Sequence, residues 1–247
     1  MLNNKISCVI AAAGKGSRSG LDYPKCLFKI DGKPIINRIL ESISFIDINP
    51  TIIVSPNGKD QISQELHISN FSAKFLVQEE PLGMGNAISQ LKKISYELED
   101  NILLSWGDIP FITKESLLEL KKCFFDKNSD FSLITSFSND PYTIIKRDKN
   151  HNIIEVVETR NIPNYQNEYF NLKQERDIGI FLFKKELILQ YLEKSLDGKY
   201  SQVTNEHGFL YLIKHLANDG YKITNIKSKH DIETISFNSH EDLKGYI

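Results

Sequence analysis

Residues Ile6 to Leu40 read ISCVIAAAGKGSRSGLDYPKCLFKIDGKPIINRIL, and the order of parts in this stretch sets the expected fold. Ile6–Ala11 is a short, mostly apolar run that ends in small residues, the pattern of a strand buried on both faces of a parallel sheet. The chain then leaves that strand through Ala11-Ala12-Ala13-Gly14-Lys15-Gly16-Ser17-Arg18, side chains too small to shield their own backbone. Main-chain N–H groups so exposed can approach an anion closely, and clusters of them bind phosphate well. Arg18 and Lys25 add cations at fixed distance, and Pro24 stiffens the approach of Lys25. A strand-to-helix turn with solvated basic residues is the other reading of the loop taken alone. Farther on, Pro34 can open a helix whose Ile35, Ile36, Ile39, Leu40 and Ile43 recur on one face.

Working outward, apolar strand patterns alternate with helical ones. Strands are expected at Thr51–Val54, closed by Ser55-Pro56-Asn57-Gly58, and at Lys74–Gln78, Ile102–Trp106 and Phe131–Thr135. Helices are expected from about Gly85 to Leu98 and from Lys114 to Phe125. That alternation implies a mostly parallel sheet with helices on both faces. After Ser136 the rhythm changes. Tyr142–Lys146 and Ile153–Glu158 read as strands joined by a turn at Asp148–His151, and the polar stretch Thr159–Arg176 reads as a loop or lid. A strand at Ile178–Phe183, helices near Lys184–Lys194 and Glu206–Asn218, strands at Lys222–Ile226 and Ile232–Ile235, and a helix at Ser239–Tyr246 complete the expectation. With no repeat, low-complexity tract or linker, residues 1–247 are expected to form one domain. Residues 1–136 would be its nucleotide-binding half and 137–247 its acceptor- and metal-binding half.

Composition narrows the class. Lys and Arg number 30 against 32 Asp and Glu, which argues against partners held by bulk charge, so neither nucleic acid nor a membrane is expected. Cys8, Cys26 and Cys123 are scattered without CxxC spacing, which suits a reducing compartment and neither a disulfide framework nor a zinc site. The opening apolar run is too short for a signal peptide, so a cytoplasmic location is expected. The six histidines (His67, His151, His207, His215, His230, His240) form no metal-binding pair around a glutamate and read as surface or satisfied helix residues.

Spacing excludes two familiar phosphate loops. Neither Gly14 nor Gly16 has the Gly-Lys-Ser/Thr partner of a P-loop. The dinucleotide pattern fails at its third glycine, which is Ser19, and the second strand ends Val54-Ser55-Pro56 without its acidic residue. The run from Ala11 to Leu40 instead resembles the signature of the sugar-1-phosphate nucleotidyltransferases. The likeness is greatest to the uridylyltransferase (pyrophosphorylase) domain of bacterial N-acetylglucosamine-1-phosphate uridylyltransferases. In that family an Ala-Ala-Gly-x-Gly-(Thr/Ser)-Arg loop is followed by Pro-Lys and then by Gly-Lys-Pro at a helix start. The resemblance implies a Rossmann-like α/β fold of the nucleotide-diphospho-sugar transferase type, with a smaller acceptor-binding β or lid region.

What the resemblance implies for other residues follows motif by motif. Ala12, Ala13, Gly14, Gly16 and Ser17 would bind the nucleotide, and Arg18 and Lys25 would be catalytic. VQEEPLGMGNAI resembles the family's base-contacting segment and gives Gln78 and Gly83 that role, with Met84 where threonine is usual; otherwise Gln78 is a solvated strand end. LLSWGDIPFI resembles the Gly-Asp segment, with Gly107 on the nucleotide, Trp106 against the base or simply in the core, and Asp108 on Mg²⁺. Asp108 stands just past an apolar strand, where open α/β sheets bind ligands, and Mg²⁺ in such sites takes few protein oxygens. Its other reading is a helix cap, for which Thr113 is better placed. Glu158, Asp177 and Glu206 would contact the acceptor. Asp177 replaces the family's Asn and Thr143 its Gly, departures that bear on an N-acetylated acceptor, because an ionised Asp only accepts hydrogen bonds. Asn238, in ETISFNSHEDL, would be the second metal ligand, or else an N-cap whose role Ser239 could share. The implied reaction is Mg²⁺-dependent transfer from a nucleoside triphosphate, UTP favoured, to a sugar 1-phosphate. Transfer from CTP to a sugar or polyol phosphate, and non-catalytic nucleotide binding, are the alternatives. The acetyltransferase repeats of bifunctional relatives are absent, so acetyl transfer is not expected.

Overall fold

The computed structural model describes residues 4–14, 20–162, 165 and 172–243. Its first strand, β1 (Ile6–Ala11), is followed by a 3-10 turn at Lys25–Leu27 and by the two-residue strands β2 (Lys29–Ile30) and β3 (Lys33–Pro34). Helix α1 (Ile35–Ile43) begins directly after Pro34. Then come β4 (Thr51–Val54), α2 (Pro56–Ile68) and β5 (Lys74–Val77). Helix α3 (Met84–Ser89) continues as 3-10 turns through Gln90–Glu97 and leads to β6 (Asn101–Trp106), α4 (Lys114–Asp126) and β7 (Phe131–Ser138). The hairpin β8 (Thr143–Arg147) and β9 (Ile153–Glu158) precedes the long β10 (Gln174–Lys184). Helices α5 (Lys185–Glu193) and α6 (Leu212–Asn218) and strand β11 (Ile223–Lys227) follow.

Seven strands form one sheet in the order β11-β7-β10-β6-β1-β4-β5. β10 runs antiparallel to both its neighbours, and every other pairing is parallel. Side chains alternate between the faces, as a two-residue period requires. Cys8 and Ile10 of β1 pack with α1, α2 and α4, whereas Val9 and Ala11 pack with α3, α5 and α6. The expected α/β sheet with helices on both faces is therefore present. The five residues placed on one face of α1 are at most 2% exposed. Each contributes about 1.5–3 kcal/mol on burial, so packing of that face holds the helix in place.

Three local expectations change. Ser55–Gly58 is the start of α2: the Ser55 side chain accepts from the Gly58 amide at 3.2 Å and Pro56 occupies the first turn. Only Gly58, Ile62 and Leu66 of that helix are buried, so its periodic signal is weak. Residues 206–211 are not helical, because main-chain groups there bond elsewhere. The Gly208 amide donates to Lys199 O and the His207 amide to Leu82 O, while Glu206 O accepts from Ser201. Ile232–Ile235 is not a strand but part of a 3-10 turn (Asp231–Thr234), drawn inward by Glu233. Glu233 is fully buried and accepts from the Thr113 amide, the Thr113, Ser116 and Ser228 hydroxyls, and so ties this turn to the start of α4. The terminal helix appears as a 3-10 turn at His240–Leu243, and residues 244–247 lie outside the described residues.

Candidate active site

β1 and β6 end, and β10 begins, along one edge of the sheet, and a cavity of about 1070 Å³ opens there. Ala11 pairs with Trp106, so the chain leaving β1 and the chain leaving β6 run side by side. Their approach is close. The Gly107 amide donates to Ala11 O at 3.0 Å, and a Cβ on Gly107 would sit 3.0 Å from that oxygen and 3.1 Å from Ala12 Cβ. A side chain at Gly107 would therefore press its neighbours by a few tenths of an ångström, while Gly14 faces open space. Ala12, Ala13 and Gly14 line the cavity; Gly16, Ser17 and Arg18 lie outside the described residues.

Lys25, Asp108 and Asn238, far apart in sequence, converge at this edge. The Lys25 ammonium donates to Asp108 Oδ2 at 2.6 Å and to Asn238 Oδ1 at 3.3 Å. The Phe237 amide donates to Asp108 O at 2.9 Å and thereby fixes the Asn238 segment against the end of β6. The other carboxylate oxygen, Asp108 Oδ1, is buried and has no hydrogen-bond partner. An orphaned carboxylate oxygen, next to two oxygens already grouped around a cation, fits a hard divalent metal. Among the described residues no cluster of three or more His, Cys, Asp or Glu is arranged to hold a metal, so such an ion would complete its shell with phosphates and water. The α4 cap is Thr113, whose side chain accepts from the Ser116 amide, so Asp108 is not needed as a cap. The amides of Asn238 and Ser239 both donate to Asp242, which leaves Asn238 Oδ1 facing Lys25. Cys26 also lines the cavity, but burial pushes its thiol up to about 12, too high for a nucleophile at neutral pH.

Gln78 and Gly83 lie at the outer end of the cavity, after β5. Gln78 is buried, and its Nε2 donates to Gly83 O at 3.1 Å and to Asn86 Oδ1 at 2.8 Å. Because Gly83 O can only accept, the amide orientation is determined and Oε1 remains as an acceptor for a ligand. Gly83 has φ +101°, and a Cβ there would meet Glu206 Cβ and His207 N at 2.9 Å. Trp106 is separated from this end by β1 and β4 and instead packs against Phe181, with Gly179 of β10 over its ring.

Glu158 and Asp177 line the opposite part of the cavity, and Glu206, packed against Gly83, lines it between the two ends. Asp177 is 3% exposed, and a β-bulge follows it in β10. Its Oδ1 accepts from the Thr143 hydroxyl at 2.6 Å and its Oδ2 from the Gly179 amide at 2.9 Å. Burial raises its pKa, opposed by the Thr143 hydrogen bond and the Arg176 charge. The two departures from the family pattern, Thr143 and Asp177, are thus one contact pair. Glu158 accepts from Arg160 Nε at 2.5 Å, and Arg160 Nη1 stands 4.0 Å from Glu206. Every expected site residue within the described part of the chain therefore borders this one cavity. Arg160 and Arg176 border it too, and no motif pointed to them; Arg176 sits in the polar start of β10, Gln174 to Asp177, where an arginine gives no signal of its own.

The sequence family described as MobA-like NTP transferase domain matches residues 8–159. The Bifunctional protein GlmU of Buchnera aphidicola subsp. Baizongia pistaciae is 30% identical over 243 residues, 97% of this chain and 51% of that protein. The chain thus spans about half the length of the curated relatives it matches. A putative glucose-1-phosphate thymidylyltransferase from Bacillus anthracis superposes with a TM-score of 0.73 at 16% identity, covering 97% of this chain and 93% of that one. The inositol-1-phosphate CTP transferase from T. maritima does so at 0.73 and 17%, covering 100% and 95%. At those identities the superpositions establish the fold alone. Among the described residues no helix is long and apolar enough to cross a membrane.

Proposed function

The chain belongs to the MobA-like NTP transferase family and is a nucleotidyltransferase, and we propose that it joins a nucleoside triphosphate, UTP foremost, to a sugar 1-phosphate. The products are a nucleotide-sugar and pyrophosphate. The observation that carries this reading is the meeting of Lys25, Asp108 and Asn238 beside the small-residue loop, with Asp108 Oδ1 buried and unpaired. Residues 1–136 form the nucleotide half and 137–247 the acceptor half of one catalytic domain.

A phosphomonoester dianion needs no base to make it nucleophilic, so the chain's task is alignment and charge neutralisation. An acceptor phosphate oxygen attacks the α-phosphorus, a new P–O bond forms, and the bond to the β-phosphate oxygen breaks with its electron pair leaving on pyrophosphate. Asp108 and Asn238 would hold Mg²⁺, which when bound supplies positive charge to the reacting phosphates. Lys25 and Arg18, with the N–H groups of Gly14 to Ser17, bear the charge of the leaving pyrophosphate. Gln78 Oε1 accepts from the base: the ring N–H of uracil fits it, and so does the exocyclic amine of cytosine. Glu158 and Glu206 accept from acceptor hydroxyls.

A second reading, CTP with a sugar or polyol phosphate, draws support from the Thr143–Asp177 pair, which offers no donor to an acyl oxygen. Pyrophosphate release tests both, with UTP, CTP, dTTP, GTP and ATP against N-acetylglucosamine 1-phosphate, glucose 1-phosphate and inositol 1-phosphate. Turnover is expected with at least one pair, abolished by chelating the metal and cut at least about 100-fold by Lys25→Ala or Asp108→Ala. Near-native turnover in either variant, or none in the wild type with any pair, overturns the reading.

A further inference from the structure

We propose that Arg176 binds the phosphate group of the acceptor, an inference that rests on the transfer reaction proposed above. Arg176 is the third residue of β10, at the cavity edge, and is only 9% exposed. Its Nε donates to Asp177 O at 3.0 Å and its Nη2 to Thr234 O at 3.3 Å. Both partners are neutral main-chain carbonyls. Three cations of the described residues line the cavity, and the other two are paired: Lys25 with Asp108, and Arg160 with Glu158. Arg176 has no carboxylate within 4.0 Å among the described residues. A guanidinium carries five N–H donors, so most of its hydrogen-bonding capacity is left over. A buried charge that keeps such capacity unused calls for an anion, and a planar fork of donors suits phosphate better than a lysine would.

The order of strands says which phosphate. From the edge strand inward the order is β5, β4, β1, β6, β10. Gln78 follows β5, the small-residue loop follows β1, Asp108 follows β6, and Arg176 stands in β10. Neighbouring strands are about 4.8 Å apart, so the base end, the loop and Arg176 are spaced about 10 Å from one to the next. In-line displacement requires the attacking and leaving oxygens on opposite sides of the α-phosphorus. With pyrophosphate on the β1 loop and the reacting phosphorus beside Asp108, the attacking phosphate falls on the β10 side. That side carries Glu158 and Asp177 in its wall, with Arg160 held by Glu158, and Arg176 offsets the repulsion a dianion would meet from Asp177 there.

The competing role is a staple for the turn that carries Thr234 and, four residues on, Asn238. Steady-state kinetics on wild type, Arg176→Ala and Arg176→Lys separate the two, using the best nucleotide and acceptor of the panel above. Arg176→Ala is expected to raise the acceptor KM about 10- to 100-fold, the loss of a charge-assisted pair of hydrogen bonds. The KM for nucleotide should stay within about threefold, and Arg176→Lys should recover part of the loss. Inorganic phosphate, competing with the acceptor, should weaken as an inhibitor in parallel. An unchanged acceptor KM, or a rise confined to the nucleotide KM, overturns the proposal; so does a joint loss of thermal stability and of both KM values. Calorimetric titration of the wild type and Arg176→Ala with inorganic phosphate serves as a second readout that needs no turnover. Phosphate binding weakened in the variant supports Arg176 even if the panel shows no transfer. Equal binding refutes Arg176 even if transfer is found.

Discussion

Gly85→Ala is the perturbation that most directly tests how the two halves of the cavity are joined. Gly85 is the second residue of α3, where alanine by itself favours the helix by about 1 kcal/mol. The space around it argues the other way. A Cβ on Gly85 would overlap the Gly208 carbonyl oxygen and lie 2.7 Å from Cδ2 and 2.8 Å from Nε2 of His207. Carbon atoms in contact sit about 3.5–4.0 Å apart, so the ring must retreat by roughly 1 Å and the carbonyl by more. That movement strains two main-chain hydrogen bonds, Gly85 N to His207 O at 2.9 Å and His207 N to Leu82 O at 2.7 Å. Each contributes about 0.5–1.5 kcal/mol, and overpacking a filled site costs about 1–3 kcal/mol more. Steric loss outweighs helix propensity, and a net destabilisation of about 3 kcal/mol is expected. For a chain of this size that lowers Tm by about 6–12 °C in a thermal melt. Because Glu206 precedes His207, the acceptor KM should rise severalfold while the nucleotide KM changes less. A Tm equal to or above wild type, the result propensity alone would give, refutes the packing argument. A lowered Tm with an unchanged acceptor KM refutes the role of Glu206. His207 and Gly208 are what forbid alanine at this position in this chain.

Glu233→Ala should cost about 3 kcal/mol or more, because it leaves four donors from Thr113, Ser116 and Ser228 without their acceptor in a buried site. Thermal denaturation measures this, and Glu233→Gln should recover part of the loss. A pH dependence is expected at the loop beside Gly85. Burial lowers the His207 pKa from 6.5 to about 4, assisted by the Lys199 charge. The unfolded segment takes up a proton below 6.5 while the packed loop does so only near 4. The loop's stability is therefore complete above 6.5 and falls as pH drops through that window. Amide protection factors for residues 199–208 between pH 7 and 4.5 check the direction, and protection that rises on acidification refutes it.

The fold was legible where one feature sufficed. Thr51–Val54, four apolar or β-branched residues in a row, is a strand with those bounds, and Ile35 to Ile43 is a helix whose inward face is the predicted one. Legibility failed where long-range contacts decide. Ile232–Ile235 has three β-branched residues in four, yet Glu233 reaches the start of α4 more than a hundred residues earlier, and the chain turns to let it. Likewise Glu206 to Leu210 has helix-forming residues, but its main-chain groups bond to Leu82, Gly85, Lys199 and Ser201. The site divides in the same way. The glycines, alanines and Pro24-Lys25 could be found from sequence because backbone must come close to a ligand there, a demand few residue types meet. Arg176 was silent, because an arginine before an aspartate is unremarkable until both its neighbours prove to be carbonyls.

This division also bears on where the chain departs from the family pattern: at Met84 alone in the proposed base segment, but at the contacting pair Thr143 and Asp177 in the proposed acceptor wall. Next to β1 and β6 the cavity wall is close-packed main chain, held by Gly107 N on Ala11 O and Ala12 N on Ile53 O, so that a side chain at Gly107 would press on Ala11 and Ala12. On the far side the wall comes from the β8–β9 hairpin, the start of β10 and the loop at 199–208, whose side chains can change while the strand register stays. Such changes are still coupled. A buried carboxylate at Asp177 requires a donor, and Thr143, 34 residues earlier, supplies it at 2.6 Å. Replacing Thr143 alone by glycine would leave Asp177 Oδ1 unpaired in a buried site, and replacing Asp177 alone by an apolar residue would strand the Thr143 hydroxyl. Under the transfer reaction proposed above, the two positions would act as a single specificity element, and acceptor choice is expected to shift only when they are exchanged together.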